Sequence, residues 1–458
     1  MRSPLESPRL RRILAAYTIN RLGTWIGLVA LMVAVYDHTH SALAVAALLF
    51  AGEALPAFVV PAVVARVETS RRHRELTGLY FFEAIVTIAL AVLLWQFSLP
   101  AVLLLAAFDG TAALAASALL RAELARAARD QVEDDLLAGP GATALTRDSG
   151  AGAADLEAAG HEAERRANAA LNVAFSVSFV VGPVLGGIIV AASGSSAALL
   201  IDAATFLIAG SLLVDLHPHV EEAAGSSVAV RLRAAAIYIR RAPTLRWLLL
   251  VDAVALVFFN TGGPIEVTYA KTTLHAGDRG FGLLLTAWGA GTVLGSLVFA
   301  RSLHRPLGLL LSGGTLAVGL AYIGFALAPT LALACVAALI GGAGNGLELP
   351  SLISLVQRLT PKNLHGRLMG AVESLSALCV AIGLPLGGAL VALSSPRSAF
   401  TVVGLGAAVT SVALFGLSQR RLEPPTRDGE PTSWGRQAPQ TRGGLTTREF
   451  TGQAPTAQ

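Results

Sequence analysis

Nine ionisable side chains interrupt apolar stretches long enough to cross a bilayer: Arg21, Glu53, Glu83, Asp109, Asp202, Asp252, Glu266, Glu348 and Glu373. A charge in hydrocarbon is costly and normally faces a partner or a cavity, so each is a site by default. Eight acids against one base is a biased interior. Such acids either carry protons or await cations, which is the chemistry of proton transfer and ion pairing. Depth along a helix, at ~1.5 Å per residue, sorts them. Glu53 lies near the middle of its stretch, Asp109 roughly 16 Å from the carboxyl-terminal end of its own and Arg21 about 12 Å from the amino-terminal end of its own. Glu266, Glu373 and Asp202 sit closer to helix ends, where snorkelling or capping explains them more cheaply. Bond-making chemistry finds no support. The nine histidines all fall outside the apolar stretches and form no H-E-x-x-H or H-x4-D pattern. No G-x4-G-K-[ST] loop exists, so ATP is not expected to act directly. Cys335 and Cys379 lack metal-ligand spacing and are expected to pack. No enzyme activity, cofactor or metal is expected.

The elements that hold these residues are set by composition. The 458 residues are 54% hydrophobic and only 14% charged, with mean hydropathy +0.63. Soluble domains carry about a quarter charged residues, so this is a membrane composition. A helix needs roughly 20 apolar residues to span. Apolar length predicts twelve spans, at 13–36, 42–65, 75–97, 100–120, 168–192, 197–214, 245–270, 280–300, 307–328, 331–355, 368–393 and 398–417. The first is too long for the core of a cleaved signal peptide and is expected to be retained. If both ends share one side, every Lys and Arg but Arg21, Lys271, Arg279 and Arg397 falls on that side. The positive-inside rule then makes both termini cytoplasmic, in a multi-pass protein of the plasma membrane. Basic residues report topology here, so no nucleic-acid partner is expected.

The chain also repeats itself. VGPVLGGIIVAAS (181–193) returns as IGLPLGGALVALS (382–394), with Gly182, Gly186, Gly187, Val190, Ala191 and Ser193 each matched 201 positions later and Arg166 matched by Arg367. The phrase sits in the fifth span and its echo in the eleventh. A weaker echo sets Ala65–Arg66 on Ala300–Arg301, 235 positions apart. The difference falls in an insertion at 121–167, expected to form short frayed helices around a flexible centre. Two parallel six-helix copies about an axis along the membrane normal follow: residues 1–12 as the amino terminus, 13–214 as the first half, 215–244 as a linker, 245–417 as the second half and 418–458 as a disordered tail. The linker reads as a basic amphipathic helix on the membrane surface, with Val230, Ala234 and Ile237 on one face. Small residues every fourth position let helices approach closely in lipid. Gly182, Gly186, Gly383 and Gly387, with Gly291 and Gly295 in the eighth span, fit this. Gly187 and Gly388 extend the pattern, and Pro183 and Pro385 add local kinks. The expectation is that spans 5, 8 and 11 line the interface along which the halves rock.

The sequence resembles the major facilitator superfamily, in its branch of macrolide-efflux and enterobactin-export proteins. The carrying stretches are RRANA (165–169) leading into VGPVLGG, DAATF (202–206), GFGLLLTAWGAGTVLGSLV (280–298) and GAGNGLELPSLISLVQRLTPKNLHGR (342–367). The resemblance implies an all-α fold and secondary-active transport by alternating access, commonly proton-driven export of an amphipathic small molecule, by a monomer. Uptake or lipid flipping on the same scaffold is the alternative, and a polytopic membrane enzyme a distant one. In the resembled fold, helices 1, 4, 7 and 10 line the central cavity. That favours Arg21, Asp109, Asp252 and Glu348 as substrate- or proton-coupling residues, with Glu53 beside them, and leaves Glu83 and Asp202 structural. The family's gating loop after helix 2 usually reads like G-x-x-x-D-R-x-G-R-R. Here it is VARVETSRRHRE (64–75): Arg71 and Arg72 match its basic end, while the glycines are missing.

Overall fold

The computed structural model describes residues 7–60, 75–137, 151–214, 228–302, 304–361 and 364–421. The gate residues Arg71 and Arg72, the centre of the insertion, the start of the linker and the tail after 421 lie outside them. Every regular element among the described residues is helical. The first four helices are α1 (Pro8–Thr39), α2 (Ala42–Val60, with a π-helical turn Phe50–Ala54), α3 (Glu75–Leu93) and α4 (Leu99–Leu137). The run Ala151–Leu213 breaks at Gly194 (φ 84°, ψ 165°) into α5 (151–193) and α6 (195–213). A side chain at that backbone geometry is strained, so glycine makes this hairpin possible. Then come α7 (Val228–Arg241) and α8 (Pro243–Thr273, ending in a π-helical turn Tyr269–Thr273). The last five are α9 (Gly277–Arg301), α10 (Leu307–Leu327), α11 (Leu331–Arg358), α12 (His365–Leu393) and α13 (Pro396–Arg421).

Eleven described helical runs are long and apolar enough to cross a membrane, and the break at Gly194 turns one of them into two crossings. The chain is a multi-pass membrane protein. Its outer surface agrees: Leu393 is 87% exposed, Trp95 77% and Leu327 74%, a cover that lipid tolerates and water does not. Alternating helix direction gathers the arginines at one end of the bundle, the basic end. Lys271, Arg279 and Arg397 mark the far end.

The duplication is visible in the backbone. His40 (φ 48°) and His275 (φ 50°) are the only non-glycine residues with positive φ among those described. They stand 235 positions apart, each just past the first long helix of its half. Side-chain contacts repeat at the same pairing of offsets. A Cβ at Gly182 would lie 2.4 Å from Trp25, and one at Gly383 2.7 Å from Asn260. A Cβ at Gly186 would meet Ile26 at 3.2 Å, and one at Gly387 the carbonyl of Thr261 at 2.3 Å. Trp25 with Asn260, and Ile26 with Thr261, are again 235 apart. These glycines therefore bind α5 to α1 and α12 to α8, each inside its own half.

The repeated glycines thus pack helices closely, as expected, but most of them do so inside one half. Gly182, Gly186, Gly383 and Gly387 do not face the other half, and neither do Gly291 and Gly295, whose Cβ positions fall 2.1 Å from the carbonyls of Leu339 and Ala343 in α11. The halves meet one residue further on. Gly187 abuts the carbonyl of Asp278 (2.8 Å from its Cβ position) and Gly282 in α9, and Gly388 abuts Leu43 and Ala46 in α2. In each copy, G-x-x-x-G-G spends two glycines within the half and the third on the partner half. Thr286 of α9 adds a hydrogen bond to the Val180 carbonyl, 3.0 Å away, beside Pro183, whose missing N–H leaves a nearby carbonyl unpaired in the helix. All these inter-half contacts lie in the far part of the bundle.

The insertion also differs from expectation. It continues α4 to Leu137 and begins α5 at Ala151, because its Ala-, Arg- and Glu-rich sequence favours helix. Leu124, Ala127 and Ala128 are buried against the start of α1. Arg9 donates to Glu123 at 2.6 Å and to Asp130 at 2.9 Å; Arg126 reaches Glu123 at 3.3 Å, and Arg129 pairs with Glu164 across α4 and α5 at 2.7 Å. The Glu123 side chain is fully buried. Removing one partner of a buried pair exposes the other to desolvation without compensation. Arg9→Ala is therefore expected to cost about 2 kcal/mol, read as a lower melting temperature of the detergent-solubilised protein. A melt unchanged from wild type would show that Arg126 alone satisfies Glu123. In α7, Ala235 is buried and Tyr238 donates to the Leu359 carbonyl at 3.0 Å, while Ile237 is exposed.

Candidate functional site

A cavity of about 360 Å³ lies within the first half, a size that suits a small-molecule ligand. Its wall combines Arg21, Trp25, Glu53, Asp109, Asp202 and Phe206 with leucines of α1, α2 and α4. Four helices, α1, α2, α4 and α6, supply these side chains. The corresponding region of the second half holds an aromatic stack. Trp288, which stands 235 positions after Glu53, stacks on Tyr322 at 5.7 Å, and Tyr322 stacks on Phe400 at 5.6 Å. An indole replaces a carboxylate at the equivalent place.

Backbone contact brings the acids together. A Cβ at Gly110 would fall 1.9 Å from the carbonyl of Gly52, so α2 and α4 touch at these two glycines. Glu53 and Asp109 are their immediate neighbours and therefore flank one helix crossing. The π-helical turn Phe50–Ala54 carries Glu53; such turns recur at functional sites. Asp109 accepts a hydrogen bond from Thr87 of α3 at 3.4 Å. Asp202 enters from α6 over a glycine notch in α1. A Cβ at Gly27 would lie 2.1 Å from its Oδ2, and one at Gly23 2.7 Å from its Oδ1. It is 5% exposed, and Thr205 approaches its Oδ1 at 3.5 Å.

Arg21 is occupied elsewhere. Its Nη2 donates to Ser117 at 3.0 Å and its guanidinium lies 5.5 Å from the Tyr17 ring. Ser117 is two helical turns, roughly 12 Å, from Asp109 along α4. The similar depths inferred from sequence for Arg21 and Asp109 therefore do not produce an ion pair here. The cavity keeps three carboxylates with no cation held between them among the described contacts.

The remaining sequence candidates fall in different places. Arg21, Glu53 and Asp109 share the cavity. Asp252 and Glu348 belong to the second half: Glu348 accepts from Thr315 of α10 at 3.0 Å, and Asp252 is buried in α8. Glu348 thus leans on α10 rather than on the cavity of the first half. Asp202, expected to be structural, lines the cavity, while Glu83 is fully buried outside its wall. Glu266 lies inside α8 beside Gly262, not at a helix end, because the π turn carries that helix on to Thr273; Glu373 is exposed. The missed signal was the company the acids keep. Gly52–Glu53, Asp109–Gly110 and Gly23-x3-Gly27 are close-approach glycines beside or opposite a charge.

The model of the Major Facilitator Superfamily matches residues 253–452. Across 90% of this chain and 99% of the other, the fold superposes on the crystal structure of the nucleoside transporter NupG with TM-score 0.62 at 13% identity. The second half of the chain is thus similar to the Major Facilitator Superfamily, and the whole chain shares the fold of these transporters. Two six-helix parallel repeats, visible in the paired offsets, are the fold of that superfamily. Among named relatives, the multidrug efflux pump Tap of Mycolicibacterium fortuitum is 28% identical over 268 residues, 56% of this chain; the match spans 64% of Tap, less than two thirds of its length. The enterobactin exporter EntS of Salmonella choleraesuis (strain SC-B67) is 28% identical over 313 residues, covering 64% of this chain and 71% of EntS. No group of three His, Cys, Asp or Glu that could hold a metal occurs among the described residues.

Proposed function

We propose that this protein exports amphipathic small molecules bearing a positive charge, in exchange for protons, by alternating access. The observation that carries this reading is the cavity: three carboxylates from three helices, walled by leucine, Trp25 and Phe206, with the single guanidinium held by Ser117 and Tyr17. An apolar wall takes the body of such a molecule and a carboxylate takes its ammonium group. The same carboxylates serve protons. A cation arriving from the basic end displaces a proton from the cluster, and a proton arriving from the far end displaces the cation. Charge is balanced in each exchange, and neither step needs a covalent intermediate.

Orientation follows from charge. The basic end is read as cytoplasmic, with both termini there, and the membrane as the plasma membrane. The seal between halves at the far end then leaves the cavity on the cytoplasmic side, where an exporter loads. The printed names of Tap and EntS, a multidrug efflux pump and an enterobactin exporter, agree with outward transport. A monomer suffices, since one chain holds both halves. Asp252 and Glu348 remain second proton-coupling candidates on the other half.

The test uses purified protein in liposomes with an imposed pH gradient and matched pairs of dyes, one ammonium and one neutral isostere. The ammonium member is expected to move about tenfold faster, a difference of about 1.4 kcal/mol in transition-state terms, and only with the gradient directed for export. Equal rates for the pair would sink the cationic reading. Accumulation in the opposite direction would make the protein an importer, and lipid scrambling without dye transport would make it a flippase.

A further inference from the structure

At the far end, Lys271 of α8 touches both halves. Its ammonium group donates to Asp37 of α1, in the other half, and pairs with Asp278 of α9, in its own half, at 2.7 Å. It is nearly buried, its side chain only 13% exposed. Its Nζ also lies 5.9 Å from the centre of the Tyr36 ring. Tyr36 and Lys271 are 235 positions apart, the same spacing as His40 and His275. They are thus equivalent residues of the two copies. Equivalent positions of a two-fold repeat touch each other only near the axis. Lys271 therefore sits on the pseudo-axis, at the end where the halves meet.

Two features hold it there. The π-helical turn Tyr269–Thr273 displaces the helix at Lys271, as the turn Phe50–Ala54 does at Glu53. Asp278 is fixed by the same close approach that joins the halves, since its carbonyl lies against Gly187. The two acids are not equivalent. Asp278 moves with Lys271, as both belong to the second half. Asp37 moves with the first half and must leave Lys271 when the far end opens.

We propose that Lys271 is the latch of the far-end seal: Asp278 retains it throughout the cycle, and Asp37 engages it only when that end is closed. The arrangement keeps the lysine charge paired in both states, which removes the desolvation cost of a stranded ammonium during opening. It also gives the two acids opposite effects on the equilibrium. Losing Asp37 removes an attraction found only in the closed state. Losing Asp278 leaves the lysine to Asp37 alone, which favours closure. This assignment goes beyond the proposed export function and is independent of the identity of the cargo.

The experiment reads the seal directly. Spin labels at Ser98→Cys and Ser395→Cys, exposed far-end positions in opposite halves, report the inter-half distance in a Cys335→Ser, Cys379→Ser background reconstituted in lipid nanodiscs. Asp37→Asn and Lys271→Gln are expected to raise the ratio of open to closed far ends about three- to fivefold. Lys271→Arg should restore the wild-type distribution, and Asp278→Asn should leave the open fraction at or below wild type. An Asp37→Asn distribution identical to wild type would overturn the latch. So would Asp278→Asn opening the far end as much as Asp37→Asn, which would mean that the cluster acts only as a structural ion network. Neither outcome bears on the cargo, so failure here leaves the export reading to its own test.

Discussion

Gly187→Leu is expected to leave folded protein within about twofold of wild type while opening the far end, whereas Gly387→Leu is expected to lower folded yield about tenfold. The difference is one position in the repeat. A Cβ at Gly387 would fall 2.3 Å from a backbone carbonyl of α8, in the same half, so α12 cannot pack and the half itself is broken. A Cβ at Gly187 would fall 2.8 Å from the Asp278 carbonyl, in the other half. Backbone cannot yield by changing rotamer, but the two halves can part as bodies without disturbing their own cores. Gly388→Leu, 2.8 Å from Ala46 across the second inter-half contact, should behave as Gly187→Leu does. The measurements are monodisperse yield by size-exclusion chromatography and the Ser98–Ser395 distance. Equal loss of yield in Gly187→Leu and Gly387→Leu would show that the inter-half contact is needed for folding.

Asp109→Asn is expected to retain exchange of labelled cargo at equal pH on both sides while losing transport driven by a pH gradient by about a hundredfold or more. An amide still accepts the Thr87 hydrogen bond at Oδ1, so the α3–α4 contact is preserved and folding is spared. What the substitution removes is the proton. Asp202→Asn should have a similar but smaller effect, because its carboxylate rests on the α1 notch at Gly23 and Gly27 as well as on the cavity. Arg21→Ala and Asp109→Asn should combine additively in stability, within about 0.5 kcal/mol, since Arg21 engages Ser117 and not Asp109. Strong coupling between them, with the double variant recovering yield and full gradient-driven transport, would mean a structural pair and would remove Asp109 from proton coupling.

How much of this was legible in the chain differs by residue. Glu53 and Asp109 were marked by their depth alone, because a charge far from either helix end has no cheaper explanation. Asp202 was not, because it lies near the start of its helix, where capping would account for it. Its place in the cavity depends on a notch 175 or more residues earlier, at Gly23 and Gly27. Lys271 was counted only as a topology marker. No local pattern announces that its neighbours are Asp37, from a distant helix, and Asp278, beyond a turn.

The sequence by itself determined the number of crossings, the duplication and the likeness of the halves. Each follows from local quantities: apolar length against bilayer thickness, arginine distribution and identity at a fixed offset. Only the tertiary structure decided which glycine faces which partner. Gly186 and Gly187 are adjacent, and successive residues on a helix point about 100° apart, so one turns into its own half and the other outward to the opposite half. The crossings likewise set Glu53 on the cavity, while its repeat-mate Trp288 packs against Tyr322. Composition and spacing cannot tell these apart, because the interior of each half and the surface between halves are built from the same small and apolar residues. Their difference lies in what stands opposite, and that is fixed by how the helices cross.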